Sequence, residues 1–210
     1  MIVFANRGAE SLGVCHLSAM LKEAGCFFLQ MGIQSLNQDN RRNILDRRET
    51  NEDIANCIDW CRKHDLNLST DYIFFPWEKS EEDQLKAARF FHEHPPDRLA
   101  NFYLSYLPGT PLVDWAKKNG YLSEENIRDI EIGTNAYYHA GGEFINQPKN
   151  LNFFNNFYNF FILLLITPKQ FGKFLFKIHA YKFSRFIPKT SLLIFKEYIL
   201  PLFFKKHKVS

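Results

Sequence analysis

Leu21-Lys-Glu-Ala-Gly-Cys-Phe-Phe-Leu-Gln-Met-Gly-Ile-Gln-Ser35 carries a helix end, a strand and a polar strand terminus in immediate succession. Gly25 follows an amphipathic run, and glycine closes a helix in the left-handed conformation at little cost. Cys26 to Met31 is an apolar run of strand length, the pattern of a strand buried on both faces. The run gives way to Gly32-Ile-Gln-Ser35, a polar end. Ligands in parallel α/β folds bind at the C-terminal edge of the strands. Gln34 and Ser35 are therefore candidate binding residues.

Outward from this stretch the chain alternates. Met1-Ile-Val-Phe-Ala5 reads as a short buried strand with no lead-in, followed by polar Asn6-Arg7-Gly8 and a helix of roughly Val14 to Ala24. Downstream, Asn37 caps a short helix from Gln38 to Arg47. Thr50 caps another, with Asp53 as its capping-box acid. That second helix carries Ile54, Cys57, Ile58 and Cys61 on one face. Leu66 to Phe75 reads as a strand, Pro76 to Lys79 as a loop, and Ser80-Glu-Glu-Asp83 opens a helix reaching about His92. Pro95-Pro96 ends it. Leu99 to Tyr106 is a further strand, closed by Leu107-Pro-Gly-Thr-Pro111. A helix from Leu112 to Lys118 follows, and Ser123-Glu-Glu starts another.

Four strands alternating with helices predict an α/β fold with a parallel sheet. Right-handed crossovers would gather the polar strand ends at one edge: Asn6-Arg7, Gln34-Ser35, the Asp71 to Phe75 region, and Tyr103 to Tyr106. Four strands are too few to close a barrel.

The totals divide the chain. Of 22 phenylalanines, 13 lie in residues 151–210, with nine lysines and one arginine against a single acid, Glu197. The net charge of +3 thus splits into +9 there and −6 over residues 1–150. This asymmetry predicts two regions, 1–147 and a basic, Phe-rich helical extension over 148–210. Cys15, Cys26, Cys57 and Cys61, without a signal peptide, point to a reducing cytoplasmic setting and no disulfides. Phe160 to Ile166 is only seven residues long and Pro168 stops it, so no membrane span is expected. The extension has three readings: packing against the rest of the fold, peripheral membrane contact through its Phe and Lys, or nucleic-acid binding. The last is disfavoured because these Phe, in aliphatic company, make a poor stacking platform.

Several runs together resemble the second half of a radical S-adenosylmethionine domain of the type found behind a cobalamin-binding domain. They are Leu21-Lys-Glu-Ala-Gly-Cys26, Met31-Gly-Ile-Gln-Ser35, Arg41-Arg-Asn-Ile-Leu45, Asp71-Tyr-Ile-Phe74 with Ser80-Glu-Glu-Asp83, and Tyr103-Leu-Ser-Tyr-Leu-Pro-Gly-Thr-Pro-Leu112. Their order and spacing, rather than any one run, carry the resemblance. It implies an incomplete (βα) barrel of six units holding a [4Fe-4S] cluster and S-adenosylmethionine, with reductive cleavage to a 5′-deoxyadenosyl radical. By position, Gln34 and Ser35 match the fourth barrel strand, facing the ribose and methionine. Asp71 and Tyr72 match the fifth strand; Tyr103 and Ser105 match the sixth, beside the adenine.

Two departures qualify this. The CxxxCxxC loop that supplies three thiolates to the cluster is absent, since Cys57-Ile-Asp-Trp-Cys61 has only the first spacing and lies on a predicted helix. Phe75-Pro-Trp-Glu-Lys-Ser80 also replaces the Gly-x-Pro-Gly-Glu-Thr turn. The expectation is a fragment, inactive alone, of a radical enzyme that methylates or rearranges an organic or lipid-like substrate, the cluster and cobalamin being bound elsewhere. The alternatives are a non-catalytic remnant or subunit that pairs with a cluster-bearing chain, and a peripheral membrane module.

Other residues have plainer readings. Cys57 and Cys61 are expected in the core rather than on a metal. His92 and His94 are expected as solvated helix-end residues. Tyr137-Tyr-His139-Ala-Gly-Gly142 is either a pocket loop or a domain exit.

Overall fold

A computed structural model describes residues 2–5, 20–78, 80–133 and 148–195. The expected strand–helix alternation is present. Strands β1 (Ile2–Ala5), β2 (Phe28–Gln34), β3 (Asn67–Phe74) and β4 (Arg98–Tyr103) form a parallel sheet in the order β1-β2-β3-β4. Helices α1 (Gln38–Asn43) and α2 (Asn51–Lys63) join β2 to β3, and α3 (Glu81–Glu93) joins β3 to β4. After β4 come α4 (Pro111–Lys118) and α5 (Glu124–Glu131). The C-terminal region holds α6 (Pro148–Ile166), α7 (Lys169–Lys177), two short 3₁₀ turns (Ala180–Lys182, Ser184–Phe186) and α8 (Lys189–Ile194).

Local chemistry sets the element ends. Gly25, at φ +81°, closes the helical residues 20–23. Its N–H donates to the Lys22 carbonyl at 3.0 Å and that of Cys26 to the Leu21 carbonyl at 2.8 Å, the paired bonds of a Schellman cap. Asn37 caps α1, accepting from Asp39 and Asn40. Thr50 and Asp53 form the reciprocal capping box of α2. Ser80 caps α3.

The strands are not buried on both faces as Cys26–Met31 suggested. Burial alternates along β2, with Leu29, Met31 and Ile33 covered and Phe28, Gln30, Gly32 and Gln34 only half-buried. The register places Leu29 beside Leu68 and Tyr72 beside Asn101. One face therefore carries Leu29, Met31, Leu68, Thr70, Tyr72, Phe74, Leu99 and Tyr103. The other carries Gln30, Gly32, Asp71, Ile73 and Phe102. Same-handed crossovers between successive neighbouring strands put α2 and α3 on one side. Phe91 of α3 stands edge-on to Tyr72 at 5.6 Å, which fixes that side as the first face.

The C-terminal region joins this same core. Phe154 and Phe161 of α6 lie 5.4 and 5.7 Å from the Phe74 ring. Phe154, Phe157, Phe160 and Phe161 are all 1 % exposed or less, a burial that stabilises by roughly 2–3 kcal/mol per ring. The opposite side of α6 is covered by the 3₁₀ turns: Asn159 donates to the Ser184 and Ile187 carbonyls, both at 2.8 Å. A helix buried all round needs an apolar sequence without any membrane. No helix among the described residues is long and apolar enough to cross one.

Gly172 lets α7 approach α3 closely, because a β-carbon there would collide with the His92 ring. His92 is thus buried rather than solvated, and burial holds its pKa below the usual value. His92 and His94, two residues apart at the end of α3, meet different neighbours, and it is α7 that covers His92. His94 instead meets Asp59 on α2, Nδ1 to Oδ2 at 2.7 Å.

Candidate functional site

Two polar clusters flank the C-terminal half of the sheet. The first lies on the face away from α2, α3 and α6. Gln30 Nε2 donates to Asp71 Oδ2 at 2.8 Å across the β2–β3 pair. Asp71 Oδ1 is buried without a partner among the described residues. Asp71 pairs in register with Gly32, where the strand bulges before Gln34. Gln34 takes φ +67°, the left-handed region, which costs a non-glycine residue about 1–2 kcal/mol. That turn folds its amide back over Gly32: a β-carbon on Gly32 would meet Gln34 Nε2 at 2.5 Å. A β-carbon here would push that flexible amide aside, so the glycine leaves the strand's own face open to the glutamine. Arg47 completes the cluster, Nη1 donating to the Gly32 carbonyl at 2.7 Å.

The second cluster lies beneath the loops on the helix side. Ser35, fully buried, accepts from the Asn37 N–H at 3.0 Å and donates to Glu78 Oε1 at 2.5 Å. Asn40 donates to the same oxygen. Arg41, also fully buried, donates to the carbonyls of Ser35 and Glu49 and to Asn51 Oδ1. Gln84 donates to the Glu78 carbonyl at 3.0 Å. Burial raises the Glu78 pKa above its ordinary value, and the bonds from Ser35 and Asn40 oppose that rise without cancelling it. A cleft of about 300 Å³ opens beside the cluster, lined by Asn37, Asn51, Tyr72, Glu78 and Lys86 among others.

Of the five residues predicted for the site, the structure brings Gln34 and Asp71 together on one face. Ser35 is adjacent in sequence but turns the other way, tying the β2 loop to the β3 loop. Tyr103 points to the helix side, where its hydroxyl donates to Asn155 Oδ1 of α6 at 2.5 Å. Ser105 is half-buried in the segment after β4. Asn6-Arg7 and Tyr137 to Gly142 lie outside the described residues.

Sequence reasoning missed Gln30, Arg47 and Glu78. Gln30 had a visible signal, a lone polar residue inside an apolar strand. Arg47 and Glu78 had none, since each acts across the fold on a residue more than ten positions away. The described cysteines sit in the core: Cys26, Cys57 and Cys61 are at most 2 % exposed. Cys26 Sγ donates to the Phe28 carbonyl at 3.3 Å, and a hydrogen bond from Cys57 draws the Cys61 thiol below its usual pKa. No model of a known protein family matches the chain, and no curated protein matches it.

Proposed function

We propose that this chain forms part of the (βα) barrel of a radical S-adenosylmethionine enzyme of the cobalamin-associated type, contributing the wall that receives the nucleoside of the cofactor. The observation that carries the reading is the Gln30–Asp71–Gln34 cluster, which runs from the middle of β2 and β3 to the C-terminal end of β2 on the face the helices leave. In a (βα) barrel that face is the interior. The unpartnered Asp71 oxygen fits a hydroxyl donor such as a ribose diol, and the Gln34 amide supplies both a donor and an acceptor beside it.

The described cysteines do not fit an iron–sulfur cluster. Cys57 and Cys61 face the core from one helix, and Cys26 is spent on a backbone carbonyl. The three thiolates, and cobalamin, would come from residues outside this sequence or from a partner chain. The reaction class that accompanies this reading is radical methylation or rearrangement of an organic substrate.

Calorimetric titration of the chain with S-adenosylmethionine tests the reading. Saturable binding is expected with Kd on the order of 1 mM or tighter, competed by adenosine and lost in Asp71→Asn. Binding unaffected by Asp71→Asn, or displaced by methionine but not by adenosine, would overturn it.

A further inference from the structure

The solvent side of the segment from α7 to α8 is unlike the rest of the surface. Large apolar side chains stand in water along it: Phe171 and Phe174 are 48 % and 50 % exposed, Ile178 is 49 %, Phe183 and Phe186 are 65 % and 70 %. Ile194 and Phe195 continue the series at 47 % and 38 %. Elsewhere among the described residues, exposed apolar side chains occur singly, which is ordinary for a folded chain. Here they follow one another within twenty-five residues.

Their placement on α7 is ordered. At 3.6 residues per turn, Phe171, Phe174 and Ile178 share one stripe. Lys169, Lys173 and Lys177 share a second stripe beside it, while Gly172 and Leu175 turn inward and are buried. The fold has used the inward stripe to dock α7 on α3 and has left the other two outward. In the turns that follow, Lys182 and Arg185 are exposed next to Phe183 and Phe186, and the Arg185 guanidinium lies 4.7 Å from the Phe186 ring centroid. Residues 169–195 hold five lysines and one arginine and no acid at all.

From this geometry we infer that the segment Lys169–Phe195 is a membrane-docking surface whose partner is the headgroup region of an anionic lipid bilayer. No acid stands among these phenylalanines within the segment itself; Glu81, which accepts from the Tyr181 hydroxyl at 2.6 Å, and Glu93 beside Lys169 belong to α3. An interfacial surface buries apolar side chains about 5–10 Å deep at the acyl boundary while its Lys and Arg reach the phosphates. A protein partner would also use aromatic anchors, but protein interfaces deplete lysine and gather their anchors in one central core, whereas here five lysines run alongside the phenylalanines. The apolar helix α6 takes no part, because its phenylalanines are already committed to the core. This surface stands independently of the proposed cofactor site, which lies on the other side of the sheet.

Co-sedimentation of the full chain with vesicles decides the matter. Vesicles of phosphatidylcholine with about 30 % phosphatidylglycerol are expected to bind the chain at least about tenfold more tightly than pure phosphatidylcholine. Raising the salt toward 0.5 M, where the Debye length falls below about 5 Å, is expected to remove most of that preference. The double variant Phe183→Ser, Phe186→Ser is expected to lose about tenfold in binding with an unchanged melting curve, since both rings stand mostly in solvent. Equal binding to both vesicle types, no binding to either, or unaltered binding by the double variant would overturn the inference. So would a stable dimer in solution that the double variant dissociates, because the patch would then belong to a second copy of the chain.

Discussion

The two faces of one parallel sheet have opposite characters in this protein. The face under α2, α3 and α6 is aromatic and close-packed, with Tyr72, Phe74, Phe91, Phe154 and Phe161 in mutual ring contact. The face turned away carries Gln30, Asp71 and the back-folded Gln34, with a carboxylate oxygen that has no partner among the described residues. Every strand contributes alternately to both. The difference teaches where stability and ligand chemistry are separated: one residue along a strand moves a side chain from the part that holds the fold to the part free to bind.

That comparison breaks or sharpens under substitution. On the covered face, Phe161→Ala removes a fully buried ring that touches Tyr72, Phe74 and Phe91 and is expected to cost about 3–5 kcal/mol, read by urea unfolding. A cost below about 1 kcal/mol would mean α6 is not part of the core. Gly172→Ala forces the His92 ring aside and is expected to cost about 1–3 kcal/mol by overpacking, with a matching fall in Tm. Tyr103→Phe removes one hydrogen bond to Asn155, at about 1 kcal/mol. The proposed S-adenosylmethionine binding should not change, because Tyr103 faces the helices.

Between the two faces, Glu78 makes stability depend on pH. Burial raises its folded pKa above the unfolded value of 4.5. The native state therefore holds this proton more tightly than the unfolded chain. Its stabilisation is fully present below pH 4.5 and is lost as pH rises through the folded value. Glu78→Gln keeps an acceptor for Ser35 and Asn40 without the charge. Relative to this variant, the wild type should be less stable at pH 7 and regain ground on acidification, as urea midpoints across that range would show. A constant difference would mean that Glu78 titrates normally. On the polar face, Asp71→Asn keeps an acceptor for Gln30 and should change stability by no more than about 1 kcal/mol while removing the proposed nucleoside binding.

Much of the fold was legible because its signals are local. Gly25 announced a helix end that needs a left-handed residue. Asn37, Thr50 with Asp53, and Ser80 announced helix starts through hydrogen bonds closed within three residues. Three of the five asparagines of α6 reach partners outside the helix. Asn155, Asn156 and Asn159 bond respectively to Tyr103, to the Arg185 N–H and to the Ser184 and Ile187 carbonyls. Each reaches chain far away in sequence, although Asn159 Oδ1 is buried without a partner among the described residues, so the pattern alone held no hint of these bonds.

The sequence by itself determined the alternation of strands and helices, the caps, and the basic, Phe-rich character of the last third, all of which depend on neighbours a few positions apart. Only the tertiary structure decided which face each residue of Leu21–Ser35 serves. The bulge at Gly32 and the left-handed turn at Gln34 send Gln34 toward Asp71 and bury Ser35 beside Glu78. That outcome rests on strand register and on where α3 and α6 settle. It is fixed by packing between distant segments, which periodicity in one segment does not encode.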